Sequence, residues 1–285
     1  MEEIYIKARA KVNLNLEILG KREDNYHNLE SVFQKVNLYD EIYIKKIQTD
    51  DFKLNINVKE LETKENIIYK AYVKLKEKYK TITGIEVTVN KKIPMQAGMA
   101  GGSTDCAAFI IAMNKLFDLK LSKEDMESLG KSLGADVVPC FYNKAVKAEG
   151  IGDIITNIDT NFKYYMVIIK PKIACNTKEM YQKIDAKKDL KQLHTTDDII
   201  KALENKDIHL LANNLYNVFE EVIQEKEIIE NVKKELIKSG ALQALMTGSG
   251  SCVYGIFKDK QSAKNAYIAL GKKYQTFICI SYNVR

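Results

Sequence analysis

The residues best suited to chemistry lie in Pro94-Met95-Gln96-Ala97-Gly98-Met99-Ala100-Gly101-Gly102-Ser103-Thr104-Asp105-Cys106-Ala107-Ala108, where three of the chain's 14 glycines fall within five residues. Such a stretch can hold an anion. Glycine lets the backbone come close to a ligand and take positive φ where needed. A helix start adds unpaired N–H groups and the positive end of the helix dipole. Ser103 and Thr104 can cap that helix, or offer hydroxyls to phosphate and magnesium. Neither common phosphate fingerprint is present: there is no Gly-x-x-x-x-Gly-Lys-Ser/Thr and no Gly-x-Gly-x-x-Gly. A tight turn followed by an N-cap would use the same residue types. Against that simpler reading stand the loop's length, its place between a strand and a helix, and the small residues Ala97, Ala100, Ala107 and Ala108, which leave room for a ligand.

Other polar residues fall into patterns worth weighing. Lys11, Asn13 and Asn15 share one face of an alternating segment; a lone lysine is ordinarily solvated, and the two asparagines in register with it raise the alternative. Tyr26-His27 pairs an aromatic face with an imidazole, which could stack on a base and hydrogen-bond it, or sit in a partly exposed loop. Asp136 follows a helix end at Gly134 and precedes an extended segment. An acid at a helix C-terminus meets an unfavourable dipole, so a structural role there is not the obvious one, although turns also use aspartate. Asn66 stands where a helix N-cap belongs. Thr247-Gly248-Ser249-Gly250, between apolar runs, reads as a hairpin turn ahead of a ligand loop.

The elements that must position these residues follow from periodicity. Every even position from Ile4 to Ile18 is apolar, the mark of a strand. It exceeds the usual ~3–10 residues, so a bend or interruption is expected near residues 8–11. A charged turn at residues 21–27 leads into Leu29, Val32, Phe33, Val36 and Leu38, then a strand at 41–46. Residues 47–61 read as short strands. Residues 65–79 form an amphipathic helix. Ile85, Val87 and Val89 alternate as a strand before the glycine loop, and Cys106, Phe109, Ile110, Met113 and Phe117 keep helical spacing after it. Ser122-Lys123-Glu124-Asp125 opens a helix in capping-box fashion, and Val146 to Glu149 closes this half as a strand. The second half reads as a strand at 164–170, helices from Asn176, at 196–203, 210–226 and 228–239 (ended by Gly240), two strands around the Gly-Ser-Gly turn, a last helix, and a strand at 277–284 that includes Val284. The ending suggests a split βαβ α+β sandwich.

At 285 residues the chain should hold two domains, divided between 155 and 156. Hydrophobic residues make up 46% and charged ones 29%, an ordinary globular composition. The net charge of +6 is dispersed, which favours a small anionic ligand over a nucleic acid. No apolar run reaches a membrane span and no secretory signal is seen, so a cytoplasmic protein is expected. Five scattered cysteines without a Cys-x-x-Cys suggest buried thiols, and three histidines without paired spacing argue against structural zinc.

Taken in order, Lys11-Val12-Asn13-Leu14, Asp24-Asn25-Tyr26-His27, residues 94–108, Gly134-Ala135-Asp136-Val137 and Thr247-Gly248-Ser249-Gly250 resemble the GHMP kinase superfamily over nearly the whole chain. The opening Ala10-Lys11-Val12-Asn13-Leu14 and the Tyr26-His27 pair are similar to those members whose acceptor is a cytidine-diphosphate-linked sugar alcohol, phosphorylated at its 2-hydroxyl on the way to isoprenoid precursors. The resemblance implies an α+β fold of two domains, an N-terminal ribosomal-protein-S5-like ATP-binding domain and a C-terminal ferredoxin-like (split βαβ) domain, with the active site in the cleft. It implies ATP and Mg²⁺ as cofactors, a small-molecule substrate, no nucleic-acid or membrane partner, and a monomer or weak homodimer. Residues 94–104 would be the phosphate loop, with Asn66 near the adenine. Asp136 would be the catalytic aspartate and Lys11 the catalytic lysine. Asn13 and His27 would hydrogen-bond the cytidine portion, Tyr26 and Tyr181 would sandwich the cytosine, and Thr177 would lie at the substrate end.

Phosphoryl transfer asks for positioning and charge stabilisation. On this resemblance Asp136 would accept the hydroxyl proton, Lys11 would stabilise the charge that develops, and loop amides would hold the β- and γ-phosphates. Ser103 or Thr104 would be the hydroxyls near the metal, and no carboxylate ligand for it is identified. The chain departs from the family pattern in placing Pro139 three residues after Asp136 instead of two, in having Ser251 after the late Gly-Ser-Gly, and in Gln96 and Met99 within the loop. Two alternatives remain at this stage: a related kinase for homoserine, mevalonate or galactose, and a nucleotide-binding module without turnover.

Overall fold

The computed structural model describes every residue except Lys188, Val284 and Arg285. The chain forms two compact units, each assembled from separated segments. Met1–Ala10, Leu38–Ile93 and Ala100–Phe141 make the first; Lys11–Asn37, Pro94–Met99 and the residues from Tyr142 onward make the second.

In the first unit, the opening of β1 (Glu3–Lys21) and the end of β2 (His27–Lys46) join β3 (Phe52–Ile56) and β4 (Ile85–Asn90) in the order β3-β4-β2-β1. β2 and β4 run antiparallel with Ile42 opposite Val89 and Ile44 opposite Val87; β3 lies parallel to β4. The helices are α1 (Ile67–Lys78), α2 (Gly101–Leu116) and α3 (Lys123–Lys131), followed by a 3₁₀ segment at Ala135–Phe141. Ile42, Ile44, Val87 and Val89 form one core with Ile68, Ala71 and Leu75 of α1 and Phe109, Ile110 and Met113 of α2. Each such aliphatic or aromatic side chain contributes about 1.5–3 kcal/mol of burial, so the sheet and two helices stabilise one another well beyond their own propensities. Asn66 caps α1, its side chain accepting from the Ile68 N–H, and Ser122 with Asp125 completes a capping box on α3.

The second unit holds the rest of β1 and β2. β5 (Val146–Glu149) pairs antiparallel with β2 at Ser31 to Phe33 and forms a hairpin with β6 (Ile154–Asn157). A separate antiparallel sheet has the order β11 (Gln275–Ile280), β7 (Tyr165–Lys170), β10 (Val253–Phe257), β9 (Gln243–Met246). The intervening helices are α4 (Thr177–Ala186), α5 (Thr196–Asn205) and α6 (Ile208–Asn213). After them come the short strand β8 (Tyr216–Asn217), α7 (Lys226–Lys238), β9 (Gln243–Met246), β10 (Val253–Phe257), α8 (Lys260–Leu270) and β11 (Gln275–Ile280). The strands of this sheet, numbered in chain order, therefore lie 4-1-3-2 with helices between them, which is the split βαβ arrangement read from the sequence.

Several expectations need correction. β1 is not interrupted near residues 8–11; it runs unbroken through Lys21. From Ala10 to Ile18 both its faces are buried, including Lys11, Asn13, Asn15 and Glu17, and a strand covered on both sides keeps its pairing over an unusual length. The apolar stretch at 29–38 and the strand at 41–46 are one strand, β2. Residues 47–61 hold one strand and a 3₁₀ turn (Lys59–Leu61). The helix expected over 210–226 breaks after Asn213, because Asn217 uses its side chain on backbone groups: it accepts from Phe219 N–H and donates to the Met246 and Gly248 carbonyls. The last strand ends at Ile280, with Ser281 bridging to Val36; Val284 lies outside the described residues.

Candidate active site

The glycine loop divides between the units: Pro94–Met99 counts with the second and Ala100 onward with the first. In the second unit the loop shows two different edges. Its carbonyls are engaged. Gln96 accepts from the Ser251 N–H (3.4 Å), Ala97 from the Cys252 N–H (3.2 Å), and Met99 from the Lys11 N–H (3.3 Å). The Gly98 carbonyl accepts from Thr247 Oγ1 (3.2 Å) and Lys11 Nζ (3.3 Å). Its N–H groups at Met95, Gln96, Ala97, Gly98 and Met99 have no acceptor among the described residues. A row of unpaired amides backed by satisfied carbonyls is an arrangement that can receive an anion. The turn behind it is the Gly-Ser-Gly hairpin of β9 and β10. It is a hairpin, as its spacing implies, and it also fixes the loop. Gly98 has φ +70, and a Cβ there would lie 1.9 Å from the Thr247 carbonyl oxygen, so only glycine fits.

Lys11 and Asn13 sit against this loop, both buried on the odd face of β1. Lys11 Nζ donates to Asn13 Oδ1 (2.6 Å) and lies 4.7 Å from the centre of the Phe33 ring. Asn13 is held in turn: its side-chain N–H donates to Ser31 Oγ (2.9 Å), and its backbone N–H to Thr247 Oγ1 (3.0 Å). Amide, carbonyl and aromatic face orient the ammonium through neutral groups, which leaves those contacts unable to cancel its charge.

The same unit places the Tyr26-His27 pair and α4. Tyr26 is 57% exposed, whereas His27 is buried. The His27 ring stacks on Tyr181 (centroids 4.9 Å apart, 24° between planes), and Tyr181 packs edge-on against Phe219 at 5.1 Å. His27 Nε2 lies 2.6 Å from Asp185 Oδ1, and Lys21 Nζ lies 2.7 Å from Asp185 Oδ2. The Lys21 contact first, and His27 second, hold the Asp185 carboxyl below its ordinary range. Thr177 opens α4, its hydroxyl 2.8 Å from Ser249 of the hairpin turn.

In the first unit α2 starts from Ala100, a non-glycine residue in the left-handed region (φ 57) with no side-chain cap. Ser103 and Thr104, expected as possible caps, lie inside the helix. Thr104 is buried and donates to the Arg9 carbonyl (2.6 Å), while the Ser103 hydroxyl has no partner among the described residues. The first-turn amides point out of the helix end, and a Cβ on Gly102 would meet nothing within 4 Å. Behind this end lies a buried cluster: Lys91 Nζ is 2.5 Å from Asp105 Oδ2 and also bonds Asp40 Oδ2. Asp40 Oδ1 accepts from the Ile93 N–H (2.8 Å). Burial, partly countered by Lys91, pushes the Asp105 carboxyl well above its ordinary value, and its Oδ1 has no hydrogen-bond partner among the described residues.

Asp136 also belongs to the first unit. It does not precede an extended segment; it stands exposed in the first turn of the 3₁₀ segment, where the local dipole favours an acid. The Cys140 thiol donates to its carbonyl (3.1 Å), and Pro139 is buried within the segment, so the shifted proline supports a tight turn there. Among the described residues no cluster of three carboxylate, histidine or cysteine side chains could cage a metal. Asp185 carries no sequence motif of its own, and Thr247 enters only as part of the Thr247-Gly248-Ser249-Gly250 turn. Tyr181 and Asp185 do stand i, i+4 in α4, and that spacing is the signal that would have placed them on one face.

The chain was compared with known proteins. The sequence model of the GHMP kinases N terminal domain matches residues 66–144, and that of the GHMP kinases C terminal region matches residues 199–276. A 4-diphosphocytidyl-2-C-methyl-D-erythritol kinase of Lachnospira eligens is 42% identical over 264 residues, covering 92% of this chain and 91% of its own length. One from Clostridioides difficile is 38% identical over 282 residues, covering 96% and 94%. A crystal structure of 4-(cytidine 5′-diphospho)-2C-methyl-D-erythritol kinase matches the fold with a TM-score of 0.83 at 24% identity, over 99% of this chain and 100% of that one. A homoserine kinase from Cytophaga hutchinsonii gives 0.77 at 18%, over 99% and 95%.

Proposed function

This chain belongs to the GHMP kinase family and is an ATP-dependent small-molecule kinase, and we propose that it phosphorylates 4-diphosphocytidyl-2-C-methyl-D-erythritol at its 2-hydroxyl. Relatives bearing that activity in their names cover more than nine-tenths of the chain. The observation that carries the phosphate end of the reading is the two-edged loop, with its carbonyls tied to the hairpin turn and its amides unpaired. Those amides hold the β- and γ-phosphates, with the free Ser103 hydroxyl and the open space at Gly102 beside them in sequence. Asn66 lies toward the adenine. Tyr26, His27, Tyr181, Asn13 and Thr177 receive the acceptor, its cytosine against the aromatic groups.

The chemistry follows from these roles. Asp136 accepts the proton of the attacking hydroxyl. Lys11, oriented by Asn13 and the Gly98 carbonyl, stabilises the negative charge that grows on the transferred group. Ser103 is the protein hydroxyl that would hold Mg²⁺ beside the phosphates, where the ion would supply charge neutralisation.

The test is ADP release with 4-diphosphocytidyl-2-C-methyl-D-erythritol as acceptor, run beside homoserine, mevalonate and galactose. Turnover should require the cytidine acceptor. Asp136→Ala should lower kcat by ~10²–10⁴ while ATP still binds, since a general base contributes about that factor. Turnover of the mutant at the wild-type rate would refute the assignment of Asp136.

A further inference from the structure

The contact between His27 and Asp185 decides more than ring position. Asp185 is anchored by Lys21 at 2.7 Å on one oxygen and meets His27 Nε2 at 2.6 Å with the other. A carboxylate only accepts hydrogen bonds, so the nitrogen facing it must carry the hydrogen. In a neutral imidazole the other nitrogen is then a bare acceptor. His27 Nδ1 makes no hydrogen bond to any described residue. The ring cannot readily turn to exchange its nitrogens, because it is buried and stacked on Tyr181.

We propose that Asp185 is a positioning residue that fixes the His27 tautomer with Nδ1 as acceptor, and thereby selects a cytosine-bearing acceptor over a uracil-bearing one. The two bases differ at one ring position in the sense of their hydrogen bond. Cytosine offers an exocyclic amine, a donor; uracil, like thymine, offers a carbonyl oxygen, an acceptor. A bare Nδ1 pairs with the amine and opposes the carbonyl. The inference rests on the reading that the acceptor carries a cytidine diphosphate, and it adds the residue that enforces the choice.

Asp185→Asn separates this role from simple bracing. Lys21 is a donor only, so the new amide turns its oxygen to Lys21 and its N–H to His27 Nε2. Nε2 becomes the acceptor and Nδ1 carries the hydrogen, which reverses what the base meets. Asp185→Ala removes the instruction without replacing it.

Two measurements test this on the full-length protein. The first is kcat/KM for 4-diphosphocytidyl-2-C-methyl-D-erythritol and for its uridine analogue. Wild type should prefer the cytidine form by roughly tenfold to hundredfold, the range of one hydrogen bond to a buried group. D185N should narrow or invert that ratio, and D185A should narrow it less. Equal losses on both acceptors in D185N, with the ratio kept, would show bracing alone and overturn the proposal. The second is the ¹⁵N spectrum of the histidine rings at pH 8, where an imidazole is ordinarily neutral. The chain has three histidines, so the His27→Gln variant assigns the signal. Wild type should show Nε2–H, and D185N Nδ1–H; Nδ1–H in the wild type overturns the proposal even if no variant folds. A wild type that turns over neither acceptor, yet shows Nε2–H, refutes the functional reading and leaves the tautomer assignment standing.

Discussion

Each unit contains a cluster of three titratable groups, and the two are inversions of one another. In the first unit one cation, Lys91, stands between two acids, Asp40 and Asp105. In the second, one acid, Asp185, stands between two bases, Lys21 and His27. Their surroundings differ as much as their order. The side chains of Lys91, Asp40 and Asp105 are 6%, 0% and 7% exposed, whereas Lys21 and Asp185 are 48% and 31% exposed. A buried cluster is held to neutrality by desolvation, so its members are committed to one another. Burial lowers the Lys91 ammonium, but Asp105 and Asp40 outweigh it and hold that group above its ordinary value. The exposed Lys21–Asp185 pair gains little stability from its charges, while the buried His27 ring keeps Nδ1 without a partner among the described residues. The first therefore serves the structure behind α2, and the second, on the proposed reading, serves recognition.

The largest effect should come from breaking the buried cluster at its centre. Lys91→Met leaves the Asp40 carboxylate without its cation out of water, and removal of one partner from such a cluster costs about 3–5 kcal/mol. Urea denaturation of the variant should show that loss in midpoint. A loss below ~1 kcal/mol would mean that water already reaches the cluster and that the contrast with Asp185 is false.

A smaller effect, of opposite sense, should follow from neutralising Asp105. Burial raises its carboxyl in the folded protein. Its contribution is fully present below the ordinary value of 3.8 and is lost as pH rises through the folded value. Asp105→Asn removes this pH dependence. It should stay within ~1 kcal/mol of wild type at pH 5, because the amide oxygen still accepts from Lys91. It should gain on wild type between pH 5 and pH 8. Parallel stability profiles over that range would show that Asp105 is ionised in the folded protein.

How much of this was legible in the sequence depends on where each residue's partner lies. The alternation of β1 and the strand–loop–helix order around Gly98 are local, and both were readable. The burial of Lys11, Asn13 and Glu17 was not. Period two marks these positions as one face, but it cannot say what covers that face. Glu17 accepts from the His194 and Thr195 N–H groups, and Asn13 bonds Thr247, partners roughly 180 and 230 residues away. The break at Asn213 was hidden for the same reason: Tyr216 and Asn217 leave helical geometry to pair with Asn15 and Leu16 of β1. Asp136 was read against the wrong end of a helix because a seven-residue 3₁₀ segment containing Pro139 has no apolar period long enough to see. His27 could be singled out as a base-binding candidate, but its tautomer depends on Asp185, 158 residues away.

The smallest effect should come from the exposed end of the recognition cluster, and it is the one that tests its logic most closely. Lys21→Ala removes a surface ion pair, so global stability should change by less than ~0.5 kcal/mol. Alone it should also leave the His27 tautomer unchanged, because the Asp185 carboxylate accepts from Nε2 whether or not Lys21 is there. In the D185N background the outcome differs. There Lys21 is what tells the new amide which way to face; without it, oxygen and nitrogen can each turn to His27, and both imidazole tautomers should appear. The ¹⁵N spectrum of K21A/D185N should therefore lie between those of wild type and D185N, and its preference for the cytidine acceptor should be partly restored. If the double variant matches D185N, the amide is oriented by something other than Lys21, and Lys21 is only a surface charge beside the site. If it lies between them, a residue that contributes almost nothing to stability sets the sense of a hydrogen bond to the substrate through Asp185. That dependence is absent from the buried cluster, where each member's partners are fixed by the lack of water.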